Sequence, residues 1–193
     1  MARTKIDRRI LKTKRAIICA LLKLQKTKSL DDISITALTN TADVNRKTFY
    51  LHYKSVEDVS KEFESYLVQK LRDVREDASD PVCGLSASVL FTRFQELIAQ
   101  YPEIFNALFT KTVMPLYLYP LQDEIVNTYE GVLAQTHNCS PDDLRSRVIF
   151  VISGAVSLYL DWSSRPAAVE PSALVEQLTH LAVLAFSDCR IQA

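Results

Sequence analysis

Residues 34–56, SITALTNTADVNRKTFYLHYKSV, leave the chain little choice but two short helices joined by a tight turn. Ser34 or Thr36 supplies a hydroxyl that can accept from the orphan amides of the first helical turn. Ile35, Leu38 and Ala42 then recur at helical spacing, giving one apolar face to pack inward. Asp43, Val44 and Asn45 break the pattern, and Asn45 is suited to cap the next helix. That second helix carries Arg46, Lys47, Thr48, Tyr50, His52, Tyr53 and Lys54. Phe49 is expected to face the core, because its polar neighbours cannot all be buried on so short a helix. Such a set suits a helix laid in the major groove of DNA, where some side chains reach base edges while cations and hydroxyls hold phosphates.

The charge distribution points the same way. Residues 1–54 hold 13 Lys and Arg against 4 Asp and Glu, a net of +9, and residues 55–193 hold 10 against 19, a net of −9. The formal net charge of zero therefore conceals a basic head and an acidic body. A basic head supplies the phosphate-neutralising attraction that dominates DNA affinity, and an acidic body keeps the remainder off the polyanion.

The run TFYLHYKSVEDV, preceded by ITALTNTADVNRK, resembles the helix-turn-helix signature of the TetR/AcrR family of transcriptional regulators. Thr48, Phe49, Tyr50, Leu51, His52, Tyr53 and Lys54, then Ser55, Glu57 and Asp58, carry the resemblance, which spans roughly residues 8–68. Many members have Gly where Asp43 stands; Asp tolerates the left-handed conformation better than most other residues. The resemblance implies a three-helix DNA-binding head on a helical ligand-binding and dimerisation domain. It also implies roles. Thr36 touches phosphate, while Asn45, Arg46, Lys47 and Thr48 open the recognition helix, with Arg46 and Lys47 nearest the bases. Tyr50, His52 and Tyr53 grip the backbone or thymine methyls, and Lys54 pairs with a phosphate. For Arg46 the chemistry agrees independently, because a guanidinium can grip guanine O6 and N7 together.

Only three glycines, at 84, 131 and 154, interrupt long periodic apolar stretches, so the whole chain reads as all-α. The first helix is expected over 8–24, with Ile10, Ile17, Leu21 and Leu24 on one side and Leu11, Ile18 and Leu22 adjoining. A linking helix runs from Val56 to about Val74, its start marked by Ser55, Glu57 and Asp58. Further helices are expected over 86–100, 103–112, 117–136, 142–163 and 171–187. Turn formers gather around Pro81, prolines interrupt at 102, 115 and 120, and Pro141 opens a first turn. Two domains result, a DNA-binding head over 1–54 and a regulatory and dimerisation domain over 55–193.

The last two helices are the candidate dimer interface. Both are more apolar than a monomer of this size needs, and Gly154, Ala155 and Ala182 allow close approach. A buried core helix is the competing reading for 148–160. A membrane span needs about 20 apolar residues, and this run is shorter. The first fifteen residues are basic and polar, unlike a signal peptide, so the expected compartment is the cytoplasm. There the four scattered cysteines, Cys19, Cys83, Cys139 and Cys189, are expected to stay reduced.

No nucleotide-binding loop, nucleophile elbow or HExxH is present, and His137 with Cys139 lacks the further ligands that a metal needs. The expectation is therefore no enzyme, no cofactor and no metal. Aromatics gather in the body, and Phe109, Tyr117, Phe150 and Tyr159 are the candidate lining of a pocket for a small apolar or aromatic effector. Two functions remain open. One is a homodimeric repressor that binds a palindromic operator in double-stranded DNA and is released by an effector. The other is a co-regulator or activator whose C-terminal domain binds a protein partner instead.

Overall fold

The computed structural model describes residues 8–80, 84–135, 137–165 and 170–188. Helices α1 (Arg8–Leu24), α2 (Ile35–Ala42), α3 (Arg46–Tyr50) and α4 (Val56–Ala78) come first, with a single 3-10 turn at Leu30–Asp32. After them come α5 (Ala87–Gln100), α6 (Pro102–Leu108), α7 (Met114–Leu133), α8 (Pro141–Ser164) and α9 (Pro171–Ala185). The fold is all-α, and among the described residues Ser79–Asp80 pairs antiparallel with Gly84–Leu85. It divides into two compact units. One gathers the residues up to Tyr66 with Tyr101–Tyr117, and the other gathers Leu67–Gln100 with the residues from Leu118 onward.

In the first unit, α1 packs on α2 and on α6. Ile17, Leu21, Leu22, Leu38, Phe49, Val59 and Phe63 are fully buried, and Phe105 nearly so. Ile10 and Leu11 remain exposed, so the apolar face of α1 begins a turn later than the sequence pattern indicates. Two polar ties join its segments. The Tyr117 hydroxyl donates to Gln25 Oε1 at 2.7 Å, both residues buried. The Arg15 guanidinium lies 5.4 Å from the Tyr101 ring and 3.5 Å from Glu103.

In the second unit, α9 packs on α5 and α8 and buries Leu174, Leu178 and Ala182. Ser140 caps α8 by accepting from the Asp143 amide at 3.2 Å, with Pro141 in the first turn. Arg147 on α8 donates to the Ala185 carbonyl and pairs with Asp188 at 2.7 Å, which fastens the end of α9. α7 starts three residues before its expected position and runs through both Pro115 and Pro120. Pro115 sits in the first turn, where a missing N–H costs nothing. Cys19 is free and buried, but Cys139 is disulfide-bonded, which corrects the expectation of four reduced thiols. Cys83 and Cys189 lie outside the described residues.

Burial pushes the hydroxyls of Tyr53, Tyr117, Tyr129 and Tyr159 above the ordinary phenol range, and at Tyr53 the Glu62 carboxylate adds to it. Their neutral forms are therefore favoured more in the folded state than in the unfolded chain. That contribution is complete below about pH 10 and is lost as pH rises further. Urea midpoints should fall as pH rises above about 10, and Tyr129→Phe should flatten part of that fall. An unchanged profile in the variant would remove Tyr129 from this account.

Candidate nucleic-acid interface

Capping choices fix the two helices of the interface. Ser34, rather than Thr36, caps α2, accepting from the Ala37 amide at 3.1 Å. Thr39 is buried and returns its hydroxyl to the Ile35 carbonyl at 2.8 Å, while Leu38 points fully inward. Thr36 is left exposed on the opposite side. Asp43 then turns the chain with φ 52° and ψ 46°, a left-handed conformation that costs most residues roughly 1–2 kcal/mol. Asp43→Ile should lose about that much stability in urea denaturation, whereas Asp43→Gly should lose none. Equal losses in both would mean that the side chain, not the backbone, matters there.

Asn45 caps α3, its Oδ1 accepting from the Lys47 amide at 2.8 Å. The helix is only five residues long, far below the length that holds itself in water. It is held from beneath by Phe49, fully buried, whose ring meets those of Tyr50 at 5.6 Å and Tyr53 at 5.7 Å. Arg46 donates from Nη2 to the Tyr50 hydroxyl at 3.4 Å, so the two share one face a turn apart.

Of the nine residues expected at DNA, Thr36, Asn45, Arg46, Lys47, Tyr50 and Lys54 are exposed, and Thr48 and His52 are half-buried. Tyr53 departs from the expectation. It is 3% exposed, and its hydroxyl donates inward to Glu62 Oε1 at 3.2 Å, so it packs rather than reaches out. The reason is helical spacing: Tyr53 follows Phe49 by four positions and its amide donates to the Phe49 carbonyl at 3.0 Å, so as the chain turns out of α3 the two rings share the face turned to the core. That turn is closed by a reciprocal cap: Asp58 Oδ2 accepts from the Lys54 and Ser55 amides, and Ser55 Oγ accepts from the Asp58 amide. Leu51, which is not among the residues expected at DNA, is 79% exposed beside Tyr50.

The result is a short, externally braced helix presenting a guanidinium, an ammonium, an amide and a phenol. Such a surface can donate to phosphate oxygens and to purine acceptors. Among the described residues, no group of three or more His, Cys, Asp or Glu could hold a metal ion. None of the described helices is long and apolar enough to cross a membrane.

No family model matches the sequence, and no curated protein matches it. Solved structures do. A TetR transcriptional regulator from Streptococcus agalactiae 2603V superposes with a TM-score of 0.58 at 21% identity, over 91% of this chain and 96% of that one. The dihydroxyacetone kinase operon activator DhaS gives 0.57 at 12% identity, over 93% and 98%. SmeT, the repressor of the Stenotrophomonas maltophilia multidrug efflux pump SmeDEF, gives 0.59 at 9% identity, over 94% of each. The chain has the TetR-type fold. Its helix-turn-helix is α2 and α3, and α4 to α9 form the helical remainder.

Within that TetR-type fold, the four candidate effector residues fall in different places. Phe109 and Tyr117 belong to the first unit, Phe109 stacked on Phe105 at 5.8 Å and Tyr117 edge-on to Phe63 at 5.0 Å. Tyr159 and Phe150 are on α8 in the second unit, Tyr159 tilted against Trp162 at 5.5 Å. Phe150 is 71% exposed, so it does not line an interior, and that expectation is corrected. Along α8 no residue after Val148 is buried, and a Cβ placed on Gly154 would meet nothing within 4 Å. On α9, Leu181 and Leu184 are also exposed.

Proposed function

We propose that this chain is a DNA-binding transcriptional regulator acting as a homodimer, and that it represses by occupying a palindromic operator. The observation that carries this reading is the α3 surface: Arg46, Lys47 and Tyr50 stand exposed on a helix anchored by Phe49, within a head of net charge +9. Two such helices, related by a dimer two-fold, read major grooves about 34–36 Å apart. The open face of α8 and α9, with Phe150, Gly154, Leu181 and Leu184, supports pairing through those helices. A small apolar or aromatic effector releases the DNA by binding better to the dimer state whose heads do not match the operator. A protein partner of a co-regulator or activator would use the same α8–α9 face, and the oligomeric state of the purified chain separates the two readings.

The test is selection of bound fragments from a genomic pool at two salt concentrations. A palindrome should be enriched, and its affinity should fall steeply with salt. Binding without sequence preference would refute operator reading. Once the operator is known, Arg46→Ala should cost about 1–3 kcal/mol and relax preference at one position. Lys54→Ala should weaken every sequence alike and lower the salt slope by about one. A change in base preference alone for Lys54→Ala would show that Lys54 does not hold phosphate.

A further inference from the structure

We propose that Glu62 is a positioning residue for the reading helix: without touching DNA, its carboxylate sets the direction in which α3 points. The proposal rests on the DNA-reading function proposed above. Glu62 lies on α4, and its two oxygens hold two other segments of the head. Oε2 accepts from Lys14 Nζ of α1 at 2.7 Å, and Oε1 accepts from the Tyr53 hydroxyl at 3.2 Å. The same ammonium lies 5.3 Å from the centre of the Tyr53 ring. One carboxylate therefore joins α1, α4 and the turn that leaves α3.

A five-residue helix needs this because its own hydrogen bonds cannot fix it. Phe49 sets its depth, but a single buried ring is a pivot and leaves the axis free to rock. Tyr53 provides the second point. Its amide donates to the Phe49 carbonyl at 3.0 Å, so it extends the last turn of α3, and its far end is the hydroxyl that Glu62 holds. Two anchors four residues apart define a direction.

Charge alone argues against Glu62. Its side chain is 40% exposed and packs against residues 1–54, whose net charge is +9, where a carboxylate weakens attraction to a polyanion. Replacing Glu62 with Gln removes that repulsion and frees Lys14, so simple electrostatics expects tighter binding to all DNA. Positioning expects the opposite for the operator, because the contacts of α3 work only in register.

The experiment uses full-length Glu62→Gln and Tyr53→Phe beside the wild type, with two measurements. Amide hydrogen exchange of the free protein should accelerate about tenfold over residues 46–53 in Glu62→Gln, the scale of one charge-assisted hydrogen bond. Exchange elsewhere in the head should be unchanged. The ratio of operator to non-specific affinity should fall by about the same factor, with non-specific affinity level or higher. Tyr53→Phe keeps the ring and should move both readings the same way by less. Unchanged exchange over 46–53, or an operator affinity that rises with the added positive charge, overturns the proposal. A wild type with no sequence preference refutes DNA reading itself, and the exchange measurement then decides the role of Glu62 alone.

Discussion

Replacing Phe150 with Glu should convert the protein to a monomer in sedimentation at micromolar concentration and abolish tight operator binding. Phe150 is 71% exposed on a helix whose later turns fully bury no residue in one chain, and apolar exposure on that scale, with Leu181 and Leu184 exposed on α9, marks a face that needs covering. A two-fold interface uses the same patch twice, so one substitution removes two anchors and confronts two carboxylates with each other. At about 2 kcal/mol for each lost aromatic anchor, the dimer should weaken by roughly a thousandfold. The salt slope of DNA binding should drop by about half, since a monomer neutralises the phosphates of one half-site. A variant that stays dimeric and binds normally would move the interface elsewhere and leave α8 to another partner.

Phe49→Ala should have a comparable effect through stability. Phe49 is fully buried, with Tyr50 and Tyr53 packed on it, and removing such a ring costs about 3–5 kcal/mol. That is a large part of what a domain of this kind has to spare. The midpoint of denaturation should fall sharply, and operator binding should be lost even below that midpoint, because this ring sets the depth at which α3 sits. Lost affinity with unchanged stability would instead place Phe49 at the DNA.

Much of this architecture is legible in the sequence where residues act locally. The Asn45 cap, the Ser140–Pro141 start of α8 and the span of α1 all come from side chains that bond or pack within a turn or two. The left-handed turn at Asp43 is readable for the same reason. The resemblance assigns Tyr53 outward, although it lies four positions after Phe49, on the face that the sequence already sends to the core. Local reasoning fails on contacts between distant segments. Lys14 and Glu62 are 48 positions apart and carry no periodic mark, so no local rule pairs them. Phe150 falls among residues of an apolar run, and nothing in that run separates a face that is covered within one chain from one that is not. The helix expected from 117 already contains Pro120; the departure is at Pro115, which lies in the first turn of α7 instead of before it.

The cap on α3 also settles a matter of polarity. Because Asn45 spends its carbonyl oxygen on the Lys47 amide, the part of its side chain left to face outward is the NH2 group. Arg46 and Lys47 beside it have no acceptor atoms at all. The leading edge of the helix is thus weighted towards donation, with the second lone pair of Asn45 Oδ1 as what these three side chains have left to accept with. It should favour a purine edge rich in lone pairs over one that presents an exocyclic amine.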